Sequence, residues 1–368
     1  MSESRLFKPL KVGSIELKHR IAMAPLTRLR ATDDRVPSPI MMKDYYGQRA
    51  SIPGTLLIAE GTFVSPHCGG FINAPGIWNS EQIEAWKAIT DEVHRRGSFI
   101  YCQLFSMGRV ADAEASKEEG NPIIGPSAIP FEEGAPVPRA MTREEIKQTI
   151  RDFAQASKNA IAAGFDGVEC HAANGYLLDQ FTQDVSNQRD DEYGGSVENR
   201  SRFVIEVLQA MVEAVGPERV GLRISPWSTF QGVGMRDPIT QFTDLLIKAS
   251  QFNLAFLSLV ESRVLGNADS DGTESLDFVY KLWNGPILVA GGYKSAQDAR
   301  KLVDSEYPDK DLVVAFGRYF ISNPDLVYRI QEGLSLSAYD RKSFYINKSA
   351  LGYVDYPFSK EYLASVHA

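Results

Sequence analysis

Short apolar segments recur along the chain, and amphipathic stretches separate them. Most of the apolar segments are continuous rather than alternating, which is typical of parallel strands covered on both faces. Strand and helix alternate eight times, which favours a single (β/α)8 TIM barrel over an open doubly wound sheet. The predicted strands are Ile21–Pro25, Thr55–Gly61, Ser98–Leu104, Gly167–His171, Val220–Ser225, Ala255–Val260, Ile287–Gly291 and Leu312–Gly317.

The amphipathic stretches carry recognisable helix ends. Thr142 and Glu145 have the spacing of a capping box, in which each side chain binds the backbone N–H of the other residue. Ser295 and Asp298 share this spacing and predict a second helix start. A further helix is expected to end at Gly216, because Gly followed by Pro is a common stop signal.

Two predicted connections are long, and both follow the carboxyl end of a strand. Residues 105–141 follow the third strand and residues 172–199 follow the fourth. Barrel enzymes place their substrate loops at this end, and long loops without a function are uncommon. The first loop is rich in proline, so we expect an ordered but irregular lid. No Gly/Ser linker divides the chain, which predicts one domain over residues 1–368.

Composition and charge exclude several classes of protein. The chain has 368 residues, 43% of them hydrophobic, and a formal charge of −8 from 39 basic and 47 acidic residues. This acidity disfavours binding to nucleic acid or to an anionic membrane. No apolar run is long enough to span a bilayer, and the first residues lack a signal-peptide core. The three cysteines are scattered, which fits a reducing compartment, and we expect a cytoplasmic protein.

The run Gly167–Phe181 places three hydrogen-bonding side chains just past the fourth strand, namely His171, Asn174 and Tyr176. His and Asn can both donate to one oxygen and stabilise negative charge on it. A Tyr with its usual pKa near ~10 is protonated at neutral pH and suits delivery of a proton. A structural His and a core Tyr are the alternatives. The close spacing of all three favours a catalytic interpretation.

Other chemistries fit this sequence less well. Glu169, Cys170 and His171 are adjacent on a strand, so their side chains alternate between its faces and do not converge on one metal ion. We therefore expect no metal site. No Gly-x-Ser-x-Gly elbow supplies a serine nucleophile, and no Lys at a strand end suits a Schiff base. A Gly-x-Gly-x-x-Gly motif is also absent, which disfavours a Rossmann dinucleotide site.

Glycines end two later strands. Gly291 and Gly292 lie at the end of the seventh strand, and Gly317 and Arg318 lie at the end of the eighth. In TIM barrels the loops after these strands commonly form a phosphate site. Glycines let backbone amides approach a phosphate, and Arg can bind it through two N–H groups. The alternative is that these residues only form tight turns, but their position favours phosphate binding.

Polar residues on other strands predict a ligand inside the barrel. Gln103 and Arg223 lie on the third and fifth strands, and Pro25-Leu26-Thr27 follows the first. Buried polar groups need partners, and a planar cofactor with many hydrogen-bonding atoms would supply them. An Arg beside such a ring would stabilise negative charge on it after reduction. The alternative is an interior ion pair of Arg223 with Glu60 or Glu169.

These residues belong to a set of motifs that resembles the Old Yellow Enzyme family over nearly the whole chain. The chain most resembles fungal members, including chanoclavine-aldehyde reductases. The matching motifs are His171-Ala-Ala-Asn174-Gly-Tyr176-Leu-Leu-Asp-Gln-Phe181, Asn187-x-Arg189-x-Asp191-Glu-Tyr193-Gly-Gly-Ser196, Arg20-Ile-Ala-Met-Ala-Pro25-Leu-Thr27-Arg28, Gln103-Leu104, Arg223-Ile-Ser-Pro226, Gly317-Arg318 and Tyr353-Val-Asp-Tyr-Pro357.

The resemblance implies an FMN-containing ene-reductase that uses NAD(P)H, with NADPH the more expected reductant. Hydride would pass from the flavin N5 atom to the β-carbon of an α,β-unsaturated aldehyde or ketone. Tyr176 would protonate the α-carbon, and His171 and Asn174 would bind the carbonyl oxygen. Phe105 and Tyr345 would line the substrate pocket. The residues implied to bind FMN are Pro25, Thr27, Gly61, Gln103, Arg223, Gly292, Gly317 and Arg318.

The chain departs from the family pattern near the expected pocket. Phe105 stands where the family usually has Trp, Ser106-Met107 replaces bulkier residues, and Gly61 replaces a common Ala. Smaller walls of this kind would admit a bulkier substrate. A redox-neutral isomerase and a flavin-binding protein without turnover are the alternatives, and the presence of Tyr176 disfavours the isomerase. We expect a small-molecule substrate and a monomer or homodimer.

Overall fold

A computed structural model describes residues 4–266 and 268–366. Eight parallel strands form a closed barrel in which each strand pairs with the next and the eighth pairs with the first. The (β/α)8 TIM barrel predicted from the sequence is therefore confirmed. The strands are β1 (Ile21–Met23), β2 (Leu56–Ile58), β3 (Phe99–Phe105), β4 (Gly167–Ala172), β5 (Val220–Ile224), β6 (Phe256–Val260), β7 (Ile287–Ala290) and β8 (Leu312–Phe316).

Helices surround the barrel and also occur inside its long loops. Within the described residues no helix combines the length and apolarity needed to cross a bilayer. The α-helices are α1 (Met41–Arg49), α2 (Ser80–Arg95), α3 (Ala113–Glu118), α4 (Arg143–Ala162), α5 (Leu177–Thr182), α6 (Val197–Val215), α7 (Pro238–Ala249), α8 (Asp277–Leu282), α9 (Ala296–Lys301), α10 (Arg318–Ser322), α11 (Leu326–Glu332) and α12 (Lys360–Val366).

The predicted helix ends are present, one of them only in part. At the start of α4 the Thr142 hydroxyl accepts the N–H of Glu145 at 3.2 Å, and the Glu145 carboxylate accepts the N–H of Thr142 at 2.8 Å. At α9 the Ser295 hydroxyl accepts the N–H of Asp298, but the Asp298 carboxylate accepts an N–H outside this pair, that of Lys294. The second capping box is thus only half formed.

A short hairpin closes the end of the barrel at which the strands begin. Its strands, Leu10–Val12 and Ile15–Leu17, direct apolar side chains into the barrel interior, where they join a buried cluster that includes Tyr101 and Phe256. The N–H of Ser14, at the hairpin turn, donates to a carbonyl oxygen just before β5. Because this end is filled with apolar side chains, polar interior residues lie toward the other end.

The two long loops contain more regular structure than the expected irregular lid. The loop after β3 holds α3 and a pair of two-residue strands, Ile124–Gly125 and Arg139–Ala140. The loop after β4 holds α5. Arg189, in this second loop, donates to the carbonyl oxygens of Pro126 and Met141 at 3.0 and 2.7 Å. The second loop therefore holds the first in place.

Buried arginines fix a carboxyl-terminal segment against the barrel. Arg28 donates to the carbonyl oxygen of Gly352 at 2.7 Å, and Arg30 donates to that of Phe344 at 2.7 Å. Both guanidinium groups are almost fully buried. Since carbonyl oxygens satisfy them, they act as fixed donors rather than as free charges. This contact brings Tyr345 to the rim at which the strands end.

Candidate active site

A cavity of about 940 Å³ lies at the carboxyl ends of the strands. Polar side chains from β3, β4 and β5 reach it from below, and the loops after β3 and β5 cover it. The structure brings most of the predicted site residues together here. Those that line the cavity are Pro25, Thr27, Gln103, His171, Asn174, Tyr176, Arg223, Gly292, Gly317, Arg318 and Tyr345.

His171 is a neutral hydrogen-bond donor in this geometry. Burial, and then the positive charge of Arg223, holds the pKa of the imidazole well below its usual value of 6.5. Its Nδ1 atom accepts the backbone N–H of Ala173 at 3.3 Å. An imidazole nitrogen that accepts carries no proton, so the single ring proton of the neutral form lies on Nε2. That N–H is available to an acceptor in the cavity.

Asn174 lies in the left-handed region of backbone space, with φ of 57°. Asn tolerates this conformation better than most residues, because its short side chain can bind locally. Its backbone N–H donates to the Ser225 hydroxyl at 2.7 Å, which ties the turn to the end of β5. The side-chain amide is left to line the cavity beside His171.

Tyr176 presents a protonated phenol to the cavity. Burial raises its pKa above the ordinary value of 10.0. Its ring packs edge-on against His171, with centroids 4.9 Å apart, and against Phe105 at 5.3 Å. Because Tyr176 directly precedes α5, whose first turn is fixed by the bond from Leu177 N–H to the Ser106 carbonyl, the phenol has a defined direction.

A buried polar layer crosses the barrel below the cavity. The Gln103 amide donates to Glu169 at 2.7 Å, and Arg223 donates to the Ser258 hydroxyl at 3.0 Å. Burial raises the pKa of Glu169, and the charge of Arg223 opposes that rise. The Nε atom of Arg223 is buried and has no hydrogen-bond partner among the described residues. An unpaired buried N–H costs free energy, so this atom marks a position for a ligand acceptor.

The far end of the cavity has the glycines and the cation expected of a phosphate site. Gly291 and Gly292 have φ of 125° and 74°, conformations that L side chains rarely adopt. Gly317 and Arg318 come from the neighbouring loop. The Arg318 guanidinium forms an ion pair with Asp269, on a loop that follows β6. The glycine backbone and the Arg318 guanidinium, the two groups expected to bind a phosphate, thus both lie at this end of the cavity.

Two predicted residues differ from their expected positions. Phe105 and Gly61 are not among the residues that line the cavity. Phe105 is buried because it stacks on Phe63 at 4.6 Å and lies behind the ring of Tyr176. A Cβ at Gly61 would lie 3.0 Å from the Phe105 ring. The absence of a side chain at Gly61 leaves space for the Phe105 ring. Both residues therefore influence the shape of the cavity without lining it.

Gln231 lines the cavity and was not found by sequence reasoning. It has φ of 61°, in the left-handed region that is uncommon for Gln. Its side chain faces the Tyr176 phenol and lowers the pKa of that group, against the larger effect of burial. No motif marks this residue, since it reaches Tyr176 only through the fold of the loop after β5.

The state of His171 can be tested without any substrate. We expect its imidazole to be neutral, in the Nε2–H form, at neutral pH and to take up a proton only below the usual pKa of 6.5. Since the folded pKa is below the unfolded value of 6.5, protons bind the unfolded chain preferentially below that pH, and this group lowers stability there. Nitrogen-15 NMR of histidine-labelled protein measures both tautomer and titration.

His94 supplies the reference for this measurement. His94 bonds to Asp166 at 3.0 Å, and this bond raises the pKa of its imidazole, so its signals should titrate above 6.5. His171→Asn identifies the signals of His171 by their loss. A His171 signal that titrates near the value of His94 would contradict the assigned neutral donor.

Comparisons with known proteins show the family of this chain. A family model described as NADH:flavin oxidoreductase / NADH oxidase matches residues 5–337. Chanoclavine-I aldehyde reductase of Penicillium roqueforti is 53% identical, with 99% of each chain covered. An NADP-dependent oxidoreductase of Aspergillus flavus is 51% identical, with 97% of each covered. A probable inactive dehydrogenase of Claviceps purpurea is 48% identical, with 99% of this chain and 97% of that protein covered.

A solved structure shares the whole fold. The crystal structure of Old Yellow Enzyme from Pichia sp. superimposes with a TM-score of 0.90 at 43% sequence identity. The match covers 98% of this chain and 95% of that one. The barrel of this chain is thus arranged as in that Old Yellow Enzyme.

Proposed function

Because the chain belongs to the NADH:flavin oxidoreductase / NADH oxidase family, we propose that it is an FMN-dependent ene-reductase of α,β-unsaturated aldehydes and ketones. It is an oxidoreductase of the Old Yellow Enzyme type. The observation that carries the finer proposal is the convergence of His171, Asn174 and Tyr176 on one cavity above the buried Gln103 and Arg223. Two neutral donors and a phenol suit a carbonyl oxygen and an adjacent carbon.

The polar layer of the barrel fits the ring of FMN. Arg223 has a buried Nε–H without a protein partner, and Gln103 donates to Glu169 from the same layer. A planar ring with several acceptors would satisfy such groups, and Pro25 and Thr27, which line the same cavity, would help to hold it. Gly61 acts on this site indirectly, because the absence of a side chain there leaves space for the Phe105 ring. Bound FMN supplies a hydride from its N5 atom after reduction by NAD(P)H.

The glycine-bearing end of the cavity fits the phosphate of FMN. Gly292 and Gly317 allow close approach of the backbone, and the Arg318 guanidinium lies beside them. Arg binds phosphate through paired N–H groups, which adds direction as well as charge. Asp269, which now pairs with Arg318, is also near Lys294 and Arg341, at 3.8 and 3.9 Å. The carboxylate therefore has other cations within reach.

The remaining residues act on the substrate. The Nε2–H of His171 and the amide of Asn174 donate to the carbonyl oxygen and stabilise negative charge there when hydride reaches the β-carbon. The Tyr176 phenol, protonated because burial raises its pKa, gives its proton to the α-carbon. Tyr345 and the half-buried aromatic residues of the loops exclude water around the alkene.

The proposal is tested with purified protein and two simple substrates, cyclohexenone and cinnamaldehyde. We expect the protein to carry FMN, NADPH to bleach its absorbance, and either alkene to restore it with formation of the saturated carbonyl compound. Protein without flavin would overturn the cofactor assignment. Flavin that NADPH bleaches, but that neither alkene reoxidises, would instead favour a flavoprotein without ene-reductase turnover.

We propose NADPH as the preferred reductant, supported by the name of the Aspergillus flavus relative. A comparison of flavin reduction by NADPH and NADH at equal concentration tests this preference. We further propose that residues 1–368 form one domain and that the protein acts in the cytoplasm as a monomer or homodimer. The small-molecule substrate enters at the carboxyl ends of the strands.

A further inference from the structure

Arg109 is a buried cation that binds two of the loops covering the cavity, but it is not among the residues that line the cavity. It lies in the short 3-10 helix Gly108–Val110, directly after β3, and is 1% exposed. Its own backbone N–H donates to the Gln180 side chain at 3.0 Å, which anchors it on α5. The guanidinium has carbonyl oxygens as its hydrogen-bond partners, and its Nε atom is left without one among the described residues.

The guanidinium joins the loop after β3 to the loop after β5. One end donates to the carbonyl oxygens of Ile129 and Pro130, both at 3.4 Å. The other end donates to those of Gln231 and Gly232, at 3.2 and 2.8 Å. A planar group with donors along two edges can satisfy both sets at once. Arg109 is therefore a bridge between two segments that follow different strands.

The two loops touch at the point where Arg109 holds them. Gly232 has φ of 68°, and a Cβ at this position would collide with the carbonyl oxygen of Phe131. The backbones are thus packed too closely for any side chain at 232. Both loops line the cavity here, through Phe131 and Gln231. The relative position of the two loops therefore sets the shape of the cavity above the substrate.

Gln231 connects the contact between these two loops to Tyr176, the proposed proton donor. Arg109 holds its carbonyl oxygen while its backbone stays at φ of 61°. Its Cβ lies 2.9 Å from the position that a Cβ on Gly175, the residue before Tyr176, would take, and Gln231 and Tyr176 line the same cavity. Its side chain faces the phenol of Tyr176, and its Oε1 atom is buried without a partner among the described residues. A Gln held in this way restricts the rotation of the Tyr176 hydroxyl. Release of the carbonyl would let Gln231 return to a more common conformation.

We propose that Arg109 is a positioning residue for the protonation step, which it governs by holding Gln231 against Tyr176. This inference rests on the proposed ene-reductase function. It assigns to Arg109 no contact with substrate or flavin. Its effect is confined to the proton transfer, because the donors of the carbonyl oxygen, His171 and Asn174, are held by other contacts.

The test compares Arg109→Lys with wild type in separate half-reactions of the holoenzyme. Lys carries the charge but cannot reach the carbonyl oxygens of both loops. We expect flavin reoxidation by saturating cinnamaldehyde to slow about ten-fold, because small displacements of a reacting group cost rate. Reduction by NADPH, and reoxidation by ferricyanide, which takes electrons without protonation of carbon, should stay within about two-fold by the same argument.

Arg189→Lys is the matched control. Arg189 is a half-buried Arg that also holds the loop after β3, through the carbonyl oxygens of Pro126 and Met141, and none of its hydrogen bonds to the described residues reaches the loop after β5. It should leave the cinnamaldehyde rate within about two-fold of wild type, since the Gln231 contact is intact. A second control repeats Arg109→Lys in a Tyr176→Phe background, where the proton donor is already gone. There the ten-fold effect should disappear.

Each outcome decides the proposal. Equal losses in the cinnamaldehyde and ferricyanide reactions would show a general structural effect and overturn it, as would a ten-fold loss that persists with Tyr176→Phe. If Arg109→Lys does not fold, Gln231→Met tests the side chain through which Arg109 is proposed to act, and an unchanged cinnamaldehyde rate overturns the proposal. Wild-type protein that NADPH bleaches but cinnamaldehyde does not reoxidise overturns the proposed function and this inference with it.

Discussion

Tyr176→Phe is expected to slow the reoxidation of reduced enzyme by cinnamaldehyde about 10²- to 10⁴-fold, the range of a lost general acid. The phenol is half-buried in the cavity wall, and burial raises its pKa, so it holds its proton at neutral pH. Phe keeps the edge-on packing against His171 and Phe105 and removes only the hydroxyl. The loss should therefore appear in the rate and hardly in stability. Stopped-flow absorbance of the flavin measures it.

The reduction of Tyr176→Phe by NADPH serves as the internal control. Hydride transfer from NADPH to the flavin needs no carbon acid, so this rate should stay close to wild type. If cinnamaldehyde reoxidised the variant as fast as wild type, the proton would come from elsewhere and the assignment would be wrong. Product that has lost its alkene only by rearrangement would favour the isomerase alternative.

Arg223→Met is expected to weaken FMN binding by up to about two orders of magnitude, since a hydrogen bond to a charged group contributes about 1.5–3 kcal/mol. The unpaired buried Nε–H of Arg223 is the donor that the ring would satisfy. Met fills a similar volume but offers no N–H. Quenching of free FMN fluorescence by flavin-stripped protein gives the dissociation constants.

Two further variants separate this effect from damage to the barrel. Arg223→Lys keeps a positive charge near Glu169 and should weaken FMN less than Met does. Glu169→Gln keeps an acceptor for Gln103, which donates to it at 2.7 Å, and should retain FMN. FMN bound equally well by wild type and Arg223→Met would contradict the assigned position of the flavin ring.

Local pattern predicted the barrel, and it named most of the side chains that the structure brings to one cavity. Each strand is a short apolar run, and Gln103, His171 and Arg223 are polar residues within or at the end of such runs, which marked them as candidates for binding a ligand. Asn174 and Tyr176 follow His171 so closely that a single strand end carries all three. Where candidate residues are neighbours in sequence, the sequence was sufficient to predict that they lie together.

The rest depends on contacts between distant segments. Whether Phe105 faces the cavity or turns behind Tyr176 is decided by its stacking on Phe63 and by the space left at Gly61. The importance of Gln231 arises from a loop contact held by Arg109, which is 122 residues away in sequence. Neither pair carries a spacing that periodicity or capping rules can detect.

The hairpin Leu10–Val12 and Ile15–Leu17 has a consequence for the kinetics of the whole cycle. Because it fills one end of the barrel with apolar side chains, the cavity opens only toward the end at which the strands finish, within the described residues. Under the proposed function, reductant and alkene would therefore reach the flavin from this same side and compete for one space. We expect an excess of NADPH to slow the turnover that it drives, and steady-state rates at rising NADPH concentration measure this inhibition.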